Sequence, residues 1–392
     1  MNKLVFFVRM TALLMTLLLC PLAVGCTKGD TPPKSTTKAP DTTIGSPDET
    51  TEGQDPAVPD AIGAYYYARL SAEEQSLYTT LLPHLERDEN NITIENTDYD
   101  RIVEALTRVT AALYYDHPEF FFLKNAHEVN GSIYPGENDD TVTILFPACD
   151  LDTDLSVAKE RLESAVDAIV REAEKLSTPY EQVKLVHDYI IESTVYDHEN
   201  ANLYNAELNS PYYALVMGRA VCGGYARSFQ LIMDRLGIPS STLAGSADGI
   251  PHAWNVVTLD GENYLIDLTW DDTEGETVYA YFGLTSAELM KTHTPDPMFR
   301  HPTCTATAYN YYRREGLLLE AYDFDAAYEI IGRQTHLGRG YIKFASEAAL
   351  EDALENLIED QHWVELPGFE GESTVSYLID KSNLILYLVF PE

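Results

Sequence analysis

The chain has 392 residues, 45% of them hydrophobic, and a formal net charge of −37. That composition is one of a folded globular chain, long enough for two or three domains. The charge excludes a nucleic-acid binder, which needs clustered Lys and Arg against the phosphates; acidity on this scale is otherwise a solubility feature and names no partner.

Lys3 and Arg9 precede an uncharged apolar run, Met10 to Val24. The run is shorter than the roughly 20 residues a helix needs to span a bilayer, so residues 1–25 are expected to be a secretory signal. The stretch "LAVGC" at 22–26 resembles a bacterial lipoprotein signal, with Cys26 as the lipidated residue; an ordinary cleaved signal is the alternative. From Thr27 to Asp60, 16 of 34 residues are Ser, Thr or Pro and none is aromatic. Such a segment cannot bury enough surface to fold. Residues 26–60 are therefore expected to be a disordered tether, reaching about 30–35 Å as a flexible coil. Together these features predict an exported protein, lipid-anchored to the outer face of a bacterial cell membrane.

Of five cysteines, Cys20 lies in the signal and Cys26 is the lipid site, which leaves Cys149, Cys222 and Cys304. An odd number in an exported chain flags a free reactive thiol or an intermolecular bridge; whether Cys149 and Cys304 pair stays open. There is no CxxC and no Cys/His cluster at metal spacing, so no structural zinc is expected.

Residues 61–176 read as a mostly helical N-terminal domain. Ser71 and Glu74 form a capping-box pattern. A second helix, with Ile102, Leu106, Val109 and Leu113 on one face, stops at Pro118, and Phe120 to Phe122 read as a core or domain-contact strand. Residues 139–147 alternate like a strand, and a long amphipathic helix follows at about 153–176. The region 177–304 opens with Pro179 at a helix start; Val183, Val186, Ile190 and Ile191 make its buried face, beside which His187 is expected to make a structural hydrogen bond. Residues 305–392 read as a small α+β unit with a strand, an acidic helix and a hairpin, and no catalytic constellation.

Within 177–304, Cys222, Tyr225, Ala226, Phe229, Ile232, Met233 and Leu236 fall on one helical face that ends at Gly237. Cys222 thus stands in the first turn, where unpaired N–H groups and the positive end of the dipole favour a thiolate. Gly223 and Gly224 carry no side chains, which is expected to let substrate approach the sulfur. A lone buried cysteine is ordinarily a small hydrophobe; what singles this one out lies downstream. "PHAWNVVTLDGENYLIDLTWDD", 251–272, reads as a hairpin about Asp260-Gly261. A loop of two or four residues puts His252 and Asp267 on the same face, and a three-residue loop puts them on opposite faces. Asp267, between Ile266 and Leu268 in an apolar strand, needs a partner if buried. An imidazole close by would satisfy it and leave the other ring nitrogen free to take a thiol proton.

The strings Cys222-Gly-Gly-Tyr-Ala, "HAWNVV" and "YLIDLTWDD" resemble, in order, the motifs of the transglutaminase-like superfamily. The resemblance is specific over about 180–300 and includes "KLVHDYIIESTVYD", 184–197. It implies an α+β fold with a papain-like core, a Cys-bearing helix packed on an antiparallel sheet. Cys222 would be the nucleophile, His252 the general base and Asp267 the orienting carboxylate. The backbone N–H of Cys222 would serve an oxyanion hole, with Asn209, Tyr212 or Tyr213 in the right part of the chain for a second donor. Trp254 and Trp270 would wall the cleft or pack the core. The implied chemistry is attack on an amide and an acyl-thioester on Cys222, resolved by water in a cysteine peptidase or hydrolase. Resolution by an amine, as in a protein-glutamine transglutaminase, is the alternative, and a non-catalytic surface binding module is another. A protein or peptide substrate and no cofactor are expected. Animal members need calcium, but the acidic turn 271–276 lacks the spaced ligands of a calcium loop, and no metal is expected.

Overall fold

The computed structural model describes residues 8–9, 65–96, 98–124, 132–136, 140–201, 206–273 and 276–391. Cys26, the tether and the expected signal lie outside them, apart from Val8–Arg9, which pairs with Ser376 and Tyr377.

Two helices open the folded part, α1 (Ala72–Leu85) and α2 (Tyr99–Asp116). The Ser71 hydroxyl accepts from the Glu74 N–H and the Glu74 carboxylate from the Ser71 N–H, so the capping box forms as its spacing predicts. Between the helices runs β1 (Asn91–Glu95), which pairs with β3 (Thr141–Leu145); β2 (Ser132–Pro135) flanks β3 on its other side. The strand β1 departs from the helical reading of this region. Its Asn-Ile-Thr-Ile-Glu alternation is β-branched at every second position or better, which suits a strand. Phe120, Phe121 and Phe122 are buried in turns rather than in a strand.

The helices α3 (Leu155–Ala173), α4 (Pro179–Ser193), α5 (Pro211–Leu215) and α6 (Cys222–Leu236) follow. Helix α6 is central. It contacts α3, α4 and α5 on one side and a five-stranded antiparallel sheet on the other. That sheet has the order β7–β6–β5–β4–β8, from β4 (Ser240–Ala247), β5 (Ile250–Leu259), β6 (Glu262–Ile266), β7 (Phe282–Leu284) and β8 (His293–Pro295). The left-handed φ of Gly237, 68°, ends α6, a conformation that costs glycine little. Gln230 ties helix, sheet and N-terminal region together: its amide donates to the Tyr115 carbonyl at 3.0 Å and its oxygen accepts the Thr242 N–H at 2.8 Å.

The C-terminal part carries α8 (Phe324–Gly332) and α9 (Glu347–Ala353) against β9 (Arg339–Phe344), with β10 (Ser376–Asp380) and β11 (Ile385–Val389) forming the expected hairpin. One continuous cluster of buried apolar residues runs from Tyr65 to Leu388 through all three regions.

The segment before α1 is held by a buried carboxylate. Asp116 accepts the N–H groups of Tyr66 and Tyr67, each at 2.8 Å, and the Tyr78 hydroxyl at 3.2 Å. Tyr66 then donates its hydroxyl to the Thr242 carbonyl of β4 at 2.7 Å. Arg69 donates to the Arg300 carbonyl and Arg108 to that of Met298, which clasps the chain following β8. Asp116→Ala orphans two backbone donors at once, so it should lower unfolding stability by about 3 kcal/mol in urea titration.

Candidate active site

Val221 caps α6 without a side-chain hydrogen bond, so the first-turn N–H groups beside Cys222 are not taken by a capping side chain. Cys222 is half-buried there. The two glycines after it do not open a path to the sulfur. A Cβ on Gly223 would lie 2.3 Å from the Asn209 amide oxygen, and one on Gly224 would lie 2.6 Å from the Leu208 carbonyl. Their role is close packing of the 206–210 turn on the helix start, which corrects the expectation of substrate access.

The hairpin supplies the rest. Leu259 pairs with Glu262, so the loop is the two residues Asp260 and Gly261, both at positive φ (52° and 80°), as a tight hairpin turn requires. The register Asn255↔Ile266 carries His252 and Asp267 to the same face. Asp267 itself lies one residue past β6, not inside it. It caps the one-turn helix α7 (Leu268–Asp271), its Oδ1 accepting the N–H groups of Thr269 and Trp270 at 3.1 and 3.2 Å and the Thr269 hydroxyl at 2.7 Å. The strand stops because an Asp followed by two free N–H groups is a strong helix start.

His252 Nε2 stands 2.7 Å from Asp267 Oδ2, and the ring is only 8% exposed. Cys222 is among the groups that act on the ring electrostatically. With Nε2 committed to Asp267, Nδ1 is the nitrogen left for sulfur. Burial works against a charged ring, but the Asp267 carboxylate and Cys222 outweigh it and push His252 up to about 10. Burial would likewise raise Asp267, yet the two histidines beside it hold it well below the usual carboxylate range. The second is His293 on β8, whose Nε2 lies 2.9 Å from the same Oδ2. Sequence reasoning passed over His293, which lies in "KTHTP" with no motif around it.

Trp254 and Trp270, both buried, flank the two imidazoles: ring centroids lie 6.3 and 6.1 Å from His252, and 5.1 and 4.7 Å from His293. Tyr196, also passed over, arrives on a short strand parallel to Arg219–Ala220, close enough to Cys222 for the two side chains to act on each other electrostatically. Of the three side chains considered for a second oxyanion donor, Tyr212 donates to Asp152 at 2.7 Å and Tyr213 to the Asp150 carbonyl at 2.9 Å. Only Asn209 packs beside the start of α6, against Gly223.

His187 is fully buried between Asp188, 2.9 Å from Nδ1, and Asp271, 3.2 Å from Nε2, and joins α4 to α7. Cys149 and Cys304 are buried free thiols, and burial pushes Cys149 up to about 12. The ligand atoms of His252, Asp267 and His293 lie within 4.8 Å of one another, close enough to share an ion. Their N···O separations are those of ring N–H groups donating to a carboxylate. Of the acidic turn 271–276, residues 274 and 275 lie outside the described part.

A cysteine at a helix start, packed on an antiparallel sheet that brings a histidine and a carboxylate to it, defines an α+β fold with a papain-like core. Residues 167–267 match the transglutaminase-like superfamily, and this part of the chain belongs to it. Kyphoscoliosis peptidase of Homo sapiens is 26% identical over 172 residues, and that of Mus musculus 27% over 173. The matches take in 38% and 39% of this chain and 26% of each relative, so the chain spans about a quarter of the length of the curated relatives it matches. Among solved structures, a TGase is similar at 19% identity, TM-score 0.28, over 38% of this chain and 46% of that one. The periplasmic domain of TgpA from Pseudomonas aeruginosa is similar at 14% identity, TM-score 0.23, over 33% and 53%.

Since the folded imidazole titrates above its free value of about 6.5, the stability it contributes is fully present below that pH and lost as pH rises through about 10. In NMR titration the His252 ring signals should therefore move only near pH 10, and Asp267→Ala should bring the transition down to about 6.5 or lower.

Proposed function

We propose that this protein is a cysteine hydrolase of protein or peptide amide bonds, working through an acyl-thioester on Cys222. The observation that carries the reading is the His252 ring, held 2.7 Å from a buried carboxylate and favoured in its charged form by both Asp267 and Cys222. The imidazolium that His252 favours is the partner a thiolate needs. In the proposed reaction, sulfur attacks the amide carbon and the carbonyl electrons go to oxygen. That oxyanion is met by the Cys222 N–H, with the Tyr196 hydroxyl nearby as a second donor. His252 gives its proton to the departing amine, which leaves the acyl-thioester. Water, losing a proton to His252, attacks the thioester; the acid departs and the thiolate–imidazolium pair returns.

Amide-bearing peptides, offered with and without a labelled primary amine, test the reading. Backbone cleavage, lost at least about 10³-fold in Cys222→Ser, is the expected result. Incorporation of the amine at Gln side chains would replace hydrolysis by the transglutaminase reaction. Binding without turnover, unchanged in Cys222→Ser, would leave a surface binding module. The same proposal places the protein outside the cell, anchored through a lipid on Cys26, so Cys26→Ala should move it from the membrane fraction to the soluble one.

A further inference from the structure

Asp267 Oδ2 is shared by two imidazoles, and only one of them reaches Cys222. His293 lies 41 positions beyond His252, on the edge strand β8, where it pairs with Ala247 of β4. Its ring is buried between Trp254 and Trp270. Its Nε2 sits 2.9 Å from Oδ2 and its Nδ1 2.9 Å from the Thr292 hydroxyl. Asp267 can only accept while ionised, so His293 Nε2 carries the hydrogen. Nδ1 faces the Thr292 hydroxyl, which also reaches the Leu289 carbonyl at 3.3 Å. His293 and His252 thus donate to the same carboxylate from two sides, and Thr292 backs the far edge of the His293 ring.

A polar ring in a tryptophan-lined interior is costly unless its hydrogen bonds are worth more than apolar packing. Here they have a geometric effect. Oδ1 is pinned by the three donors of the α7 cap, and without His293 the carboxylate plane could turn about that pin and carry Oδ2 away from His252. The other ionisable groups facing the pair are Cys222 from α6, Tyr196 beside it, Asp271 of α7, and Tyr281 just before β7. It is the two histidines that hydrogen-bond Oδ2 directly. We infer that His293 is a positioning residue that fixes the Asp267 carboxylate so that His252 is held, in tautomer and direction, toward Cys222. This rests on the reading of Cys222, His252 and Asp267 as the reacting group.

The test is the rate of iodoacetamide labelling of Cys222 in the full-length protein across pH, read by peptide mass spectrometry. His293→Gln keeps an N–H able to reach Oδ2; His293→Asn is one bond too short. The expected result is labelling near the wild-type profile for Gln. For Asn, labelling near pH 6 should be slower by about tenfold, with the half-maximal pH raised by about one unit. In an Asp267→Asn background the Gln and Asn substitutions should no longer differ, because their effect passes through that carboxylate. Should the His293 variants not fold, Thr292→Val keeps the ring and frees Nδ1, and a smaller shift in the same direction, about threefold, is expected. Identical Gln and Asn profiles, an Asn effect that persists unchanged in the Asp267→Asn background, or an unshifted Thr292→Val would overturn the inference and leave His293 as packing. Failure of the underlying reading has a different signature: wild-type Cys222 labelling as an ordinary thiol and indifferent to His252→Ala.

Discussion

A fully buried carboxylate is tolerable only if its surroundings are built around it. Asp267 is met by five donors: two backbone N–H groups, one hydroxyl and two imidazoles. They come from the turn of α7, from β5 in the middle of the sheet and from β8 at its edge. The carboxylate therefore fixes where the hairpin ends, which way His252 faces and how the edge strand lies. The proton on His252 follows from the same charge. Helix α6 then needs only to present its first turn to that ring, and its glycines let the 206–210 turn close against it.

Much of this could be read from the chain because it depends on short-range pattern. The helical face of α6, its stop at Gly237 and the parity of His252 and Asp267 across a two-residue turn are all local. The three motifs also stand at a spacing that resembles one superfamily. What escaped reading was non-local or had competing local explanations. His293 reaches Asp267 only because β8 adds to the far edge of the sheet, beside β4, and nothing in its own neighbours announces that. Tyr196 meets Cys222 through a two-residue parallel pairing too short to show as a strand pattern. Gly223 and Gly224 looked like access and proved to be contact. Asp267 looked like a strand interior because apolar residues flank it, while its own side chain ends the strand.

The two imidazoles on one oxygen also divide the labour of the site. His252 has one nitrogen on the reacting side and one on Asp267, whereas His293 has both nitrogens spent on structure. His187 repeats the second arrangement between Asp188 and Asp271, and so braces the far end of α7. The helix that carries the capped carboxylate is thus held at both ends by buried histidines.

The chain after β8 runs straight into the residues clasped by Arg69 and Arg108, and the segment before α1 is bound in turn to Asp116 and to β4. The strand bearing His293 is thereby anchored to residues more than 180 positions earlier in the chain, while the matched family segment ends before that strand begins. The stretch that kinship identifies is accordingly smaller than the stretch that heredity must keep together. A gene rearrangement that moved only the recognisable core would transplant the reacting groups and leave their support behind.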